Sequence, residues 1–258
     1  MDSLKNKTIF LSREKNKAKL FIDELDNLGA NVIPVPLTTF EHWKIKENKT
    51  LLDHISKYDW IIFTSINGVH FFFQTLKEFG YTISILKQNK ALRFGTVGTK
   101  TELALKQYGF NASFVPTTFD ADHFSSQYLQ KYKPNYPLLV KGNLARDVID
   151  RELSKENIPF DTMFVYKTAV NDKINLAQIL KEYPIDLYCF TSPSSIDAFS
   201  TQLKGNIADE LNKPCFCIGE TTEAKAKEVG FKHTLIPNEY TLDGLLEKII
   251  ESSERGIV

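Results

Sequence analysis

The chain has 258 residues, of which 42% are hydrophobic and 25% charged, a balance that suits one or two globular domains and excludes a disordered or fibrous chain. Lys plus Arg and Asp plus Glu are both 32, so the net charge is zero and no nucleic-acid or anionic-membrane surface is advertised. No apolar run approaches the ~18 residues of a membrane span, and Met1 to Lys7 carries no apolar signal core.

Thr8 to Ser12 predicts a first strand. A helix follows over Lys17 to Leu28, with Leu20, Phe21, Leu25 and Leu28 at helical spacing and Gly29 as its stop. Asn31 to Pro36 reads as a second strand, and its two prolines confine it to an edge or to a segment leaving the sheet. A short helix at Leu51 to Ile55 leads into a strand ending at Phe63, and Gly68 to Phe79 is helical. Strand Arg93 to Gly98, helix Thr101 to Tyr108, strand Ala112 to Val115 and helix Asp122 to Leu129 close the first half. The second half opens with strand Leu138 to Lys141, helix Ala145 to Glu156, a long strand Phe160 to Thr168 and a short helix Leu176 to Glu182. A strand ending at Phe190, helix Ser195 to Leu203, strand Cys215 to Gly219 and helix Thr222 to Val229 follow. Strand Thr234 to Ile236 and helix Leu242 to Ile250 finish the chain. Cys189, Cys215 and Cys217 all lie in strand-like runs without CxxC spacing, and read as reduced core residues of a cytoplasmic protein.

The two halves repeat one another. At an offset of 127 positions, Asp59, Phe63, Thr64, Ser65, Phe72 and Leu76 meet Asp186, Phe190, Thr191, Ser192, Phe199 and Leu203. At 121, Gly98, Thr101, Glu102, Lys106, Gly109 and Phe110 meet Gly219, Thr222, Glu223, Lys227, Gly230 and Phe231. At 128, Leu11 and Leu25 meet Leu139 and Leu153, and Arg13 falls opposite Lys141. Each half thus supplies five strands alternating with helices, which predicts an α/β protein of two doubly wound parallel sheets with flavodoxin-like strand order. Two such lobes, facing one another, are expected to form a cleft.

Ligands in open α/β sheets collect where a strand's carboxyl end meets a helix's amino end. There the sequence places Ser65-Ile66-Asn67-Gly68, Gly98-Thr99-Lys100-Thr101, Lys141-Gly142-Asn143, Ser192-Pro193-Ser194-Ser195 and Gly219-Glu220-Thr221-Thr222. Helix amino ends expose unpaired N–H groups and a partial positive charge, so several such turns suit a ligand bearing several carboxylates. Taken singly, each turn is also an ordinary helix cap. Arg13, Lys100, Lys141 and Arg146 are the basic side chains at these edges, with Arg13 and Lys141 at equivalent repeat positions. The dinucleotide, P-loop, zinc-protease and nucleophile-elbow signatures are missing, and the five histidines are scattered. Tyr166 lies on the long strand, where a tyrosine is ordinarily structural. Facing a cleft, its phenol can donate a proton to a leaving oxygen.

Six segments together resemble the uroporphyrinogen-III synthase family: FTSINGV (Phe63 to Val69), VGTKTELALKQYGF (Val97 to Phe110), KGNLARDVI (Lys141 to Ile149), VYKT (Val165 to Thr168), FTSPSSIDAF (Phe190 to Phe199) and IGETTEAKAKEVGF (Ile218 to Phe231). They occur in family order over nearly the whole chain. The resemblance implies crossed lobes, one of residues 1–36 plus 170–258 and one of 41–163, joined by linker strands at 37–40 and 164–169. It implies cyclisation of hydroxymethylbilane to uroporphyrinogen III, with loss of water and inversion of ring D through a spiro intermediate, and with neither metal nor cofactor. It makes Tyr166 the expected proton donor, since phenols are protonated at neutral pH. Substrate binding is then expected from Arg13, Ser65, Asn67, Gly98, Thr101, Lys141, Gly142, Asn143, Ser192, Ser194 and Thr222, largely through backbone N–H groups. A cytoplasmic monomer is expected, fed by hydroxymethylbilane synthase, with no nucleic-acid or membrane partner. The rival readings are a non-catalytic two-lobed anion-binding or sensor module and a flavodoxin-like electron carrier.

Overall fold

Several strands are apolar on both faces, a pattern satisfied only when helices cover both sides of a sheet. Trp60–Phe63, Pro137–Gly142 and Leu187–Phe190 are buried at every position. The computed structural model describes residues 4–204 and 208–258, so Met1, Asp2 and Ser3 of the N-terminal stretch considered above lie outside the described residues.

In chain order the strands are β1 (Thr8–Leu11), β2 (Asn31–Pro34), β3 (Thr38–His42), β4 (Trp60–Phe63) and β5 (Arg93–Thr96). They continue as β6 (Pro137–Gly142), β7 (Asp161–Val170), β8 (Leu187–Phe190), β9 (Pro214–Cys217) and β10 (His233–Leu235). The helices are α1 (Lys19–Asn27), α2 (Glu47–Asp53), α3 (Ile66–Glu78), α4 (Ser84–Gln88), α5 (Thr99–Gln107) and α6 (Ala121–Lys131). After them come α7 (Val148–Lys155), α8 (Leu176–Glu182), α9 (Pro193–Leu203), α10 (Glu220–Val229) and α11 (Leu242–Glu254).

The chain divides into two compact units. One joins Met1–Thr39 to Ala169–Val258, and the other is Phe40–Thr168. The first contains a sheet ordered β2-β1-β8-β9-β10, parallel throughout, which is the flavodoxin-like order 2-1-3-4-5. The second is built on the sheet β5-β4-β6-β7-β3, whose first four strands are parallel. It has the same order with one permutation, because the edge strand β3 comes first in the chain and not last. No helix among the described residues is long and apolar enough to cross a membrane.

Period-two alternation distributes each sheet's side chains to two apolar layers. Ile61 and Phe63 join one cluster with Val69, Phe72 and Leu76 of α3, while Trp60 and Ile62 join another with Phe124 and Tyr128 of α6. In the first unit, Phe10 packs with Tyr188 and Phe190, whereas Ile9 and Leu11 pack with Phe21 and Leu25 of α1. The repeat survives in detail. Ser65 and Ser192 cap α3 and α9 through their side chains, and Gly98 and Gly219 stand at the N-caps of α5 and α10. Gly109 and Gly230 both take the left-handed conformation (φ +80° and +110°) that ends a helix without a Cβ penalty. The strand expected at Ala112 to Val115 is reduced to the single bridge Gly95↔Phe114. Ser113 and Phe114 both donate to Phe94 C=O, and Pro116 has no N–H with which to continue a ladder.

Candidate functional site

The residues with the most specific geometry gather at the carboxyl edge of the second unit's sheet, around β4, β6 and β7. β6 and β7 run in register until Lys141↔Phe164, and the next pair is Gly142↔Tyr166. The β7 strand therefore carries one extra residue, a bulge of the kind that re-aims a side chain. Val165 and Tyr166, neighbours in sequence, accordingly both enter the apolar cluster that contains Phe63, Phe72 and Val140.

Tyr166 is only 9% exposed. Its ring is stacked on Phe71 at 5.6 Å and meets Phe40 edge-on at 5.6 Å. The third wall is the backbone of Gly142, where a Cβ would lie 2.3 Å from the Tyr166 Cε2. The phenol oxygen is 3.1 Å from Ser65 Oγ, which also accepts the Gly68 N–H at 3.0 Å as the cap of α3. The neighbouring turn is tied to the same strand. Asn143 N–H donates to Tyr166 C=O at 3.2 Å, and Asn143 Oδ1 accepts Thr168 N–H at 2.9 Å. Asn67 is half-buried in the first turn of α3, and Gly98 begins α5 beside Phe119.

Lys141, expected among the basic substrate-binding residues at the sheet edge, has a side chain that is 2% exposed and ion-paired to Asp147 and Asp150 at 2.9 and 2.7 Å. Every residue of β6 is buried, so a lysine there must point inward and bring its own counter-charges. The hydrogen bond from Lys141 holds the Asp147 carboxyl below its ordinary range. Lys141 thus anchors the loop between β6 and α7 through Asp147 and Asp150.

Thr101 and Thr222 are also interior, 6% and 1% exposed, and their N–H groups already donate to Gly98 C=O and Gly219 C=O. Their turns offer instead the preceding amides, Thr99 and Lys100 in α5 and Glu220 and Thr221 in α10, which have no acceptor within their helices.

The first unit's carboxyl edge is a network of hydroxyls. Ser192 Oγ accepts Ser195 N–H and lies 3.1 Å from Ser194 Oγ. Ser12 Oγ donates to Ser195 Oγ and accepts Thr191 N–H. Arg13, next to Ser12, is half-buried, and its buried Nε has no partner among the described residues. Tyr240 was not anticipated from sequence. Its ring covers Gly219 so closely that a Cβ there would lie 3.0 Å from Cγ, a proximity that 20 intervening residues conceal. A cavity of about 740 Å³ lined by His70, Phe73, Lys77, Tyr81 and Tyr108 lies against α3 and involves none of these rim residues.

A buried phenol held by a backbone glycine, beside helix amino ends, can give a proton to a bound oxygen and steady carboxylates nearby. The family model described as uroporphyrinogen-III synthase HemD matches residues 20–247. A porphyrin biosynthesis protein HemD of Ruminiclostridium josui is 29% identical, with 94% of this chain and 48% of that protein aligned. The chain thus spans about half the length of that relative. A uroporphyrinogen-III synthase of Chlorobaculum parvum is 24% identical across 95% of this chain and 99% of its own. The crystal structure of uroporphyrinogen-III synthetase from Helicobacter pylori shares the fold, with a TM-score of 0.62 at 18% identity over 95% of this chain and 99% of that one.

Proposed function

The chain belongs to the uroporphyrinogen-III synthase family, enzymes of tetrapyrrole synthesis, and from that premise we propose that it is a cyclising lyase that converts hydroxymethylbilane into uroporphyrinogen III. The observation that carries this reading is Tyr166, clamped by Gly142 and Phe71 at the edge where the capped turns of α3 and α5 expose amides. Tyr166 donates the proton that lets the hydroxymethyl oxygen leave as water. The electron pair that expels it comes from the adjoining pyrrole nitrogen, so the protein's main task is to hold the terminal ring in position. Well-oriented constraint of this kind supplies on the order of 7–11 kcal/mol at best.

In the second unit, backbone amides of the turns at Ser65–Asn67, Gly98 and Gly142–Asn143 are proposed to hold substrate carboxylates; in the first, those at Ser192–Ser194, with Arg13, are proposed as an anion-binding edge of its own. The enzyme is proposed to work as a cytoplasmic monomer, without metal or cofactor, on bilane supplied by hydroxymethylbilane synthase. The passages at 37–40 and 164–169 are proposed as the linkers between the two units. The decisive test of the activity adds the protein to freshly made hydroxymethylbilane. Isomer III is the expected product, and isomer I alone defeats the proposal.

A further inference from the structure

Among the described residues the hydroxyl of Ser65 has two hydrogen-bond partners, and it has only one proton. It accepts the Gly68 N–H at 3.0 Å, which occupies part of its acceptor capacity, and its remaining contact is the Tyr166 oxygen at 3.1 Å. Phe71, Phe40 and Gly142 pack against the Tyr166 ring, and among the described residues the hydrogen-bond partner of its oxygen is Ser65.

Resting on the activity proposed above, we infer that Ser65 is a positioning residue whose O–H donates to the Tyr166 oxygen, turning the phenol's own proton outward to the leaving hydroxyl. Two observations favour this direction over the reverse. The Ser65 oxygen sits at the amino end of the 13-residue α3, where the helix dipole and the Gly68 N–H both draw electron density from it and strengthen it as a donor. The repeat supplies the comparison. Ser192 caps α9 in the same way, yet among the described residues its oxygen meets, besides the Ser195 N–H, the hydroxyls of Ser194 and Ser195, so capping by itself requires no phenol.

As the C–O bond breaks, its electron pair stays with oxygen, which takes the Tyr166 proton and departs as water. The negative charge left on Tyr166 faces the Ser65 O–H and the first turn of α3. The proton released when the last pyrrole ring regains aromaticity returns to that oxygen, and the cycle balances.

The test separates capping from donation. Gly at an N-cap costs a helix only a few tenths of a kcal/mol, stays neutral beside the substrate's carboxylates and has no hydroxyl to donate. Ser65→Gly is expected to melt close to the wild-type temperature and to keep KM within a few-fold, since the turn's backbone N–H groups remain. Its kcat is expected to fall on the order of 10- to 100-fold, the worth of a hydrogen bond to a charged group. Ser65→Thr, which retains the hydroxyl, should recover most of the turnover lost in Ser65→Ala, and this pair carries the comparison if Ser65→Gly is unstable. Wild-type turnover in Ser65→Gly or Ser65→Ala, or a loss confined to KM, overturns the inference while leaving the activity standing. Isomer I alone from the wild-type protein overturns both.

Discussion

Gly142 and Tyr166 fit together because one of them has no side chain. The bulge in β7 sets them opposite each other, and the ring occupies the space in which a Cβ would stand 2.3 Å from Cε2. Gly142→Ala must expel the ring or distort the end of β6. Overpacking of this kind costs about 1–3 kcal/mol. Urea unfolding is expected to register that loss, and turnover to fall with it even at temperatures where the variant is fully folded.

Tyr166→Phe leaves the ring against Gly142, Phe71 and Phe40 and removes only the oxygen near Ser65. Its melting temperature should stay within a few degrees of the wild type. Loss of a general acid lowers kcat by roughly 10²- to 10⁴-fold. Chromatography of the products should show isomer I, formed in solution, overtaking isomer III. A variant that still makes isomer III at the wild-type rate would remove Tyr166 from the chemistry.

Lys141→Ala strands Asp150, whose side chain is 20% exposed, without its cation. Removing one partner of a fully buried pair costs about 3–5 kcal/mol, and the partial exposure of Asp150 makes the loss here smaller. The double variant Lys141→Met with Asp150→Leu should regain much of that stability, and the KM of the folded protein should barely change. A large rise in KM at constant stability would return Lys141 to the substrate-binding set.

Asp161 predicts an acid-sensitive contribution to stability. Burial by itself would raise its pKa, but the bonds from Lys57 at 2.7 Å and from the Tyr58 hydroxyl at 2.6 Å outweigh that and hold it below the ordinary carboxylate value. A carboxyl depressed in the folded state stabilises above its unfolded pKa, and that contribution is lost as pH falls through the folded value. Asp161→Asn should therefore be less stable than the wild type at pH 6, with the difference shrinking below about pH 4, near the ordinary Asp value. Urea midpoints at the two pH values measure it, and a pH-independent gap would sink the argument.

The alternation of helices and strands was legible because it rests on local signals: apolar runs, capped turns and Gly stops. So was the shared strand order, since the capped turns recur at fixed offsets. The edge strand β3 was read only as a linker, because Thr-Thr-Phe-Glu-His has no continuous apolar run and pairs with β7 more than 100 residues later. The inward turn of Lys141 had a trace in sequence, Asp147 and Asp150 following it, but position near a strand's end suggested the rim. The Ser65–Tyr166 bond spans 101 residues and depends on a bulge, and neither leaves a periodic mark.

The strand β1 finds its central partner late: Ile9 pairs with Leu187, and Thr8 N–H reaches Asp186 across 178 positions. During vectorial synthesis the ribosome therefore delivers all of Phe40–Thr168 before the N-terminal strands can be flanked on both sides. The middle of the polypeptide can condense first, with its contacts comparatively short-range, while β1 and β2 wait as a hydrophobic ribbon with an open edge. Nascent chains stalled shortly after Thr168 would bind holdase chaperones through their first forty residues, and release would come only with the emergence of β8.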